Sequence, residues 1–276
     1  MTSLKFNLEN KTSLITGAAG MLGEQHARAL LEIGSRVILT DINIKLLNKL
    51  KANLCLEYPL EKIHLLEMDV TSSEAVELAL KELHKKNIFI DVLINNAAID
   101  PKVSDHSSLD ETSRLENFSI DDWNLQLDVG LKGAFLCSKF FGYDMSLRGG
   151  GVIINISSDL SVIAPDQTLY RKEGLDHHMQ PVKPVTYSVI KTGLIGLTRY
   201  ISTYWSSQGV RCNALSPGGV YLDQNKDFVL KLEERIPLGR MARIDEYHST
   251  LQYLCSDASA YLNGQNIVVD GGRSVL

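Results

Sequence analysis

Tyr187 and Lys191 bound the run Tyr187-Ser188-Val189-Ile190-Lys191, and their types and spacing suit acid–base chemistry. On a helix, positions i and i+4 share a face, so the Lys191 ammonium can lie beside the Tyr187 phenol. A free tyrosine loses its proton near pH 10, and bringing that to about 7 requires roughly 4 kcal/mol in favour of phenolate. One cation at about 4 Å, in surroundings of effective dielectric about 20, supplies about that much. A phenol tuned in this way takes a proton from an alcohol or returns one to a carbonyl. The pair alone is weak evidence, because tyrosine and lysine are common on helices. Its meaning depends on the elements around it, and on the long run behind it that begins at Ser157 and Ser158.

Short β-branched runs at 13–16, 36–40, 62–67, 89–94, 152–156, 210–215 and 266–269 read as strands. Between them, stretches such as 21–33, 72–85 and 185–206 carry apolar residues at helical spacing. Strand and helix in alternation predict an α/β fold: a doubly wound parallel sheet of about seven strands, covered on both faces to make three layers. In such sheets ligands bind beyond the carboxyl ends of the strands, at the point where strand order reverses. The first strand runs into Thr16-Gly17-Ala18-Ala19-Gly20-Met21-Leu22-Gly23 and then a helix. Glycines there permit a tight turn and close approach of backbone to a pyrophosphate, while the helix N-terminus favours the negative charge. Asp41 follows at the end of the second strand, 18 residues beyond Gly23, where a carboxylate accepts hydrogen bonds from an adenosine ribose and repels a 2′-phosphate.

The 276 residues are 44% hydrophobic, and no linker, repeat or low-complexity tract divides them, so one domain over 1–276 is expected. A formal net charge of −5 argues against a nucleic-acid surface or a polybasic membrane patch. The start, MTSLKFNLENK, has no apolar core behind basic residues, and no apolar stretch approaches bilayer-spanning length; a cytoplasmic protein is expected. Cys55, Cys137, Cys212 and Cys255 are scattered, which supports neither a metal site nor a disulfide framework.

With these motifs in order, the chain resembles the short-chain dehydrogenase/reductase family, a group of Rossmann-fold enzymes. The resemblance rests on the glycine turn, Asp69 and Val70, Asn95-Asn96-Ala97-Ala98, Asn155-Ile156-Ser157-Ser158, Tyr187 with Lys191, Ser216-Pro217-Gly218-Gly219, and Asp270-Gly271-Gly272. It implies that Gly17, Gly20, Met21, Leu22, Gly23, Asp41 and Ile42 hold the adenosine and pyrophosphate side of NAD. It further implies that Asp69 and Val70 contact the adenine and that Asn96, Ala97 and Ala98 line the cofactor cleft. Pro217, Gly218 and Val220 then approach the nicotinamide. Ser158, Tyr187 and Lys191 carry the chemistry: Tyr187 exchanges a proton with the substrate oxygen, Ser158 holds that oxygen, and Lys191 lowers the phenol pKa and binds the nicotinamide ribose. Hydride passes directly between substrate carbon and nicotinamide, and no metal is required.

Four departures qualify the match. The turn reads TGxxGxxG, the spacing of a longer sugar-nucleotide-modifying branch, where the short branch places glycine at Met21; the NNAA and DGG segments belong to the short branch. Gly130 stands where the family has an asparagine that helps hold a water in a proton relay. Leu222 replaces a threonine that helps fix the carboxamide, a task open to backbone groups or Gln224. Ser158 and Tyr187 lie 29 positions apart, against a usual 12 or 13. Tyr170 sits at the ordinary distance, but Gly174 and not lysine follows four residues on.

The extra segment, 159–184, holds Asp166, Gln167, Arg171, Lys172, His177, His178 and Lys183. Because it joins two catalytic strand ends, it is expected to pass the substrate mouth, where long loops confer specificity. Its polar character suits a hydroxyl-rich or charged substrate. The phrasing of 150–166 and 183–221 resembles bacterial dehydrogenases of surface-glycan and flagellin-sugar biosynthesis and, more distantly, gluconate 5-dehydrogenases, which implies a sugar, amino sugar or sugar acid as substrate. The apolar C-terminal run and the family habit of packing it across two-fold axes imply a homotetramer. Two other classes stay open: a sugar-nucleotide epimerase or dehydratase with tightly held NAD, and a non-catalytic nucleotide sensor.

Overall fold

The computed structural model describes residues 6–99 and 112–276. Seven strands form one parallel sheet: β1 (Thr12–Thr16), β2 (Arg36–Asp41), β3 (Ile63–Glu67), β4 (Val92–Asn95), β5 (Gly151–Ile156), β6 (Val210–Pro217) and β7 (Asn266–Val269). Their order is β3-β2-β1-β4-β5-β6-β7, a Rossmann arrangement whose reversal lies between β1 and β4. Register is set by neighbours such as Leu14 with Ile38 and Leu93, and Asn95 with Asn155. The strands match the sequence expectation except that β4 opens at Val92 and not at 89. The Asp91 carboxylate takes the Thr12 N–H at 2.9 Å, and Phe89 turns outward against His84. The Asp91 N–H donates to the Thr12 carbonyl at 2.8 Å, and the strand register with β1 begins at Val92 beside Ser13.

Alternation along each strand feeds two cores. Ile15, Val37, Leu39, Ile94, Ile154 and Ile156 pack with α1 (Met21–Glu32), α2 (Ile44–Leu54) and α9 (His248–Cys255). Leu14, Ile38, Leu93 and Ile153 face the other way, against α3 (Ser73–Lys85), α5 (Gly133–Cys137) and α7 (Val185–Tyr204). Period-two side chains on a parallel sheet require an apolar layer on each side, and these helices supply it. Cys137, Cys212 and Cys255 lie in these cores, and burial pushes the Cys137 and Cys212 thiols up to about 12. They are inert core residues.

α4 (Ile120–Leu127), α5 and α6 (Tyr143–Leu147) run on from one another through two π-helical turns, Asp128–Lys132 and Ser138–Gly142. The first turn carries Gly130, where a Cβ would come 2.8 Å from Ile190 Cγ2 of α7. The isoleucine thus fills the space that the family asparagine would need. α8 (Lys226–Glu233) lies beyond the end of β6. Among the described residues no helix is long and apolar enough to cross a membrane.

Candidate active site

At the reversal of strand order, the glycine turn is tied to the end of β4. Thr16 Oγ1 accepts the N–H groups of Asn96 and Ala97, both at 3.0 Å, and the Asn96 amide donates to the Thr16 and Gly17 carbonyls at 3.0 and 3.1 Å. Asn96 therefore shapes the cleft by holding the turn. Gly17 has φ +61° and lies so close to Ala97 that a Cβ would meet the Ala97 Cα at 2.8 Å, so glycine is required there twice over. Gly23 packs α1 on the turn, where a Cβ would collide with Gly17 and Ala18 backbone. Gly20 is the N-cap of α1 and offers no side-chain cap, so the first N–H groups of the helix, beginning at Met21 and Leu22, face outward with unspent donor capacity.

The Asp41 carboxylate closes the other side, accepting Ala19 N–H at 3.3 Å and Asn43 N–H at 3.0 Å. Ile42 beside it is 67% exposed. Asp69 turns its carboxylate onto Thr71, and Val70 packs against Gly133. A helix N-terminus without a side-chain cap, a carboxylate at the end of β2 and an apolar ledge fit a dinucleotide.

The reactive side chains gather past β5. Lys191 is only 6% exposed; its Nζ donates to the Ile156 carbonyl at 2.9 Å and lies 5.8 Å from the centre of the Tyr187 ring. Both stand on α7, whose first turn is pinned by Thr186 Oγ1 donating to Gln126 of α4. A buried chain fixes α7 on the sheet: Asn95 Nδ2 donates to Asn155 Oδ1 at 2.8 Å, Asn155 Nδ2 donates to Thr198 Oγ1 at 2.8 Å, and Ser157 Oγ donates to the Lys191 carbonyl at 2.7 Å. Ser158, 4% exposed, stands two residues past the end of β5, its hydroxyl donating to Asp159 Oδ1 at 2.9 Å. Such a cluster can hold an oxygen and exchange its proton.

Pro217, Gly218 and Val220 form the opposite wall. The Gly218 N–H donates to Val269, its carbonyl accepts the Tyr247 hydroxyl at 2.9 Å, and Val220 bridges to Ala242. Burial first, and the Asp159 charge next, push the Tyr247 phenol well above its usual range. Gln224 spends its amide on the Val220 carbonyl and the Leu222 N–H, so it braces the loop.

Residues 159–184 join β5 to α7, a strand to a helix, which corrects the expectation of two strand ends. Arg235 Nε pairs with Asp166 at 2.6 Å, and Leu169 joins a small core with Val229, Leu232 and Ile236. The Thr168 hydroxyl and N–H, with Arg235 beside them, hold the Asp166 carboxyl down at about 2. Tyr170 packs on Phe228 of α8, ring centres 5.7 Å apart. Gln167 accepts the Lys183 N–H, and the His177 carbonyl accepts from Arg114. Lys183 Nζ lies 3.8 Å from the Tyr187 ring centre, so two ammonium groups flank this phenol. Sequence reasoning named Lys183 without that contact. It missed Asp159 and Arg273 entirely, and only their opposite charge could have linked residues 114 positions apart.

A family model described as enoyl-(acyl carrier protein) reductase matches residues 17–274. The chain belongs to the short-chain dehydrogenase/reductase family. It is similar to the NAD-dependent glycerol dehydrogenase of Listeria innocua, 27% identical over 98% of this chain and 96% of that protein. It is also similar to the D-threitol dehydrogenase of Mycolicibacterium smegmatis, 30% identical over 98% and 95%. A crystal structure of a gluconate 5-dehydrogenase from Burkholderia cenocepacia, in complex with NADP and tartrate, matches with a TM-score of 0.83, at 28% identity over 99% of this chain and 98% of that one. This short-chain dehydrogenase/reductase is thus an oxidoreductase whose relatives act on CH–OH groups.

Proposed function

We propose that the protein is a cytoplasmic NAD-dependent dehydrogenase that interconverts a secondary alcohol and a ketone on a polar, sugar-derived substrate, within one NAD-binding domain over 1–276. The observation that carries this reading is the buried Lys191 ammonium, held on the Ile156 carbonyl at the end of β5 and 5.8 Å from the Tyr187 ring centre. Asp41 accepts the ribose hydroxyls, and the uncapped start of α1 faces the pyrophosphate. Bound NAD supplies the hydride acceptor at its nicotinamide carbon. Tyr187 takes the alcohol proton as the alcohol carbon gives up its hydride and is oxidised to the ketone, with Lys191 favouring the phenolate. Ser158 steadies the substrate oxygen. Lys183 sets a cation at the mouth of the site, which supports a sugar, amino sugar or sugar acid over an acyl chain.

The test is purified protein with NAD and a panel of glycerol, D-threitol, D-gluconate, sugars and sugar phosphates, followed by absorbance of the reduced cofactor. Reduction with a polyol or sugar acid is expected. Product formed with no net reduced cofactor would identify an epimerase or dehydratase instead. A chain that binds NAD and turns over no member of the panel would contradict the proposal.

A further inference from the structure

The Ser158 hydroxyl proton is committed within the protein. It donates to Asp159 Oδ1 at 2.9 Å, while the Leu160 N–H donates to both Ser158 Oγ at 3.2 Å and Asp159 Oδ1 at 2.8 Å. A hydroxyl has one proton, so Ser158 cannot donate to Asp159 and to a substrate oxygen at once. Asp159 is itself 3% exposed, and its other oxygen takes Arg273 NH1 at 2.7 Å. Arg273 comes from the far end of the chain. Its turn is held by Asp270, which accepts the Gly272 N–H at 2.9 Å and the Ser274 N–H at 2.7 Å. The C-terminal turn therefore delivers a guanidinium to the residue that grips the serine.

We propose that Asp159 and Arg273 act as a charge-balanced pair of positioning residues, which fixes the Ser158 hydroxyl and sets how readily it turns its proton to the substrate oxygen. Removing one member of a buried ion pair leaves an uncompensated charge, whereas removing both does not. With Arg273 present, one carboxylate oxygen is occupied and the grip on the serine proton is moderated. Without it, Asp159 holds that proton harder and puts a bare negative charge next to the oxygen on which negative charge develops. Turnover falls, while the cofactor side, built from the glycine turn and Asp41, is untouched.

The inference rests on the reading of Ser158 as a substrate-contacting residue, and Ser158→Ala tests that reading separately by its loss of turnover. The pair is tested on the full chain with NAD and D-threitol or D-gluconate, whichever is turned over faster. Arg273→Gln is expected to lower kcat at least about tenfold with KM for NAD unchanged, and Arg273→Lys to keep most of it. Asp159→Asn combined with Arg273→Gln retains an acceptor for the serine and carries no unpaired charge, so it is expected to fold and to recover kcat to within about threefold of the parent. Urea unfolding of the same set is expected to show the double variant more stable than Arg273→Gln. If Arg273→Gln keeps kcat within twofold, or if the double variant regains stability but not kcat, the pair is only a brace for the C-terminal turn and the proposal fails. If the parent turns over neither probe nor any other member of the panel, the underlying reading falls first and takes this inference with it.

Discussion

Asp41 and Gly20 are the residues expected to set which nucleotide the cleft accepts. The Asp41 carboxylate stands against Ala19 N–H, and Gly20 offers no cation to a 2′-phosphate. NAD(H) is therefore expected to be preferred over NADP(H) by at least about tenfold in kcat/KM, or about 1.4 kcal/mol. Asp41→Ala narrows that gap, as initial rates with both cofactors will check. A second residue-scale expectation concerns His26, which is 2% exposed on the inner face of α1 with its Nε2 unpartnered. Burial, and then the neighbouring His248, lower its pKa to about 3. The unfolded chain thus binds a proton below the ordinary histidine pKa of about 6.5 that the fold refuses, so stability rises with pH between those values and is lost as pH falls. From pH 7.5 to pH 5 this one group costs about 2 kcal/mol. Urea unfolding of His26→Leu is expected to lose about that much less than the parent over the same interval.

The elements show why some of the molecule was legible in the sequence and some was not. Strands could be read because a parallel sheet covered on both faces demands β-branched runs, and helices because each buries one stripe. Only the start of β4 was misplaced, since the Asp91 side chain substitutes for a backbone partner there. The path of 159–184 was not legible, because its anchors are distant in sequence: Asp166 on Arg235, Tyr170 on Phe228, and His177 on Arg114. Those contacts sort its polar residues. Gln167 is spent on Lys183 N–H, the Arg171 and His177 backbone carbonyls accept from Lys231 and Arg114, and the Lys183 ammonium lies against the Tyr187 ring. Lys183→Ala is accordingly expected to raise the substrate KM roughly tenfold, the cost of a hydrogen bond to a charged group, with KM for NAD unchanged. Steady-state kinetics with both ligands varied will check the split.

For the whole molecule, the glycine turn, Asp41 and the Tyr187/Lys191 pair could be named from the sequence because each is a local motif, and one topology sets their places in the fold. The Asp159–Arg273 pair was hidden because it closes one end of the chain onto its middle. Exposed apolar residues on α7 and at the C-terminus, with Tyr200 64%, Tyr204 59%, Tyr261 105% and Val275 83% exposed, suit contact with further copies of this chain. Sedimentation at micromolar concentration is expected to give a homotetramer or, failing that, a dimer, and a monomer would contradict this. Tyr187, with the Lys183 and Lys191 ammonium groups 3.8 and 5.8 Å from its ring centre, is proposed to move the proton through its hydroxyl. Tyr187→Phe removes that hydroxyl and little else, so the decisive measurement is turnover of this variant beside Tyr170→Phe, with NAD binding followed in parallel. Turnover is expected to fall at least about a hundredfold in Tyr187→Phe with NAD still bound, and to change little in Tyr170→Phe. Unimpaired turnover in Tyr187→Phe, or the larger loss in Tyr170→Phe, would contradict the account.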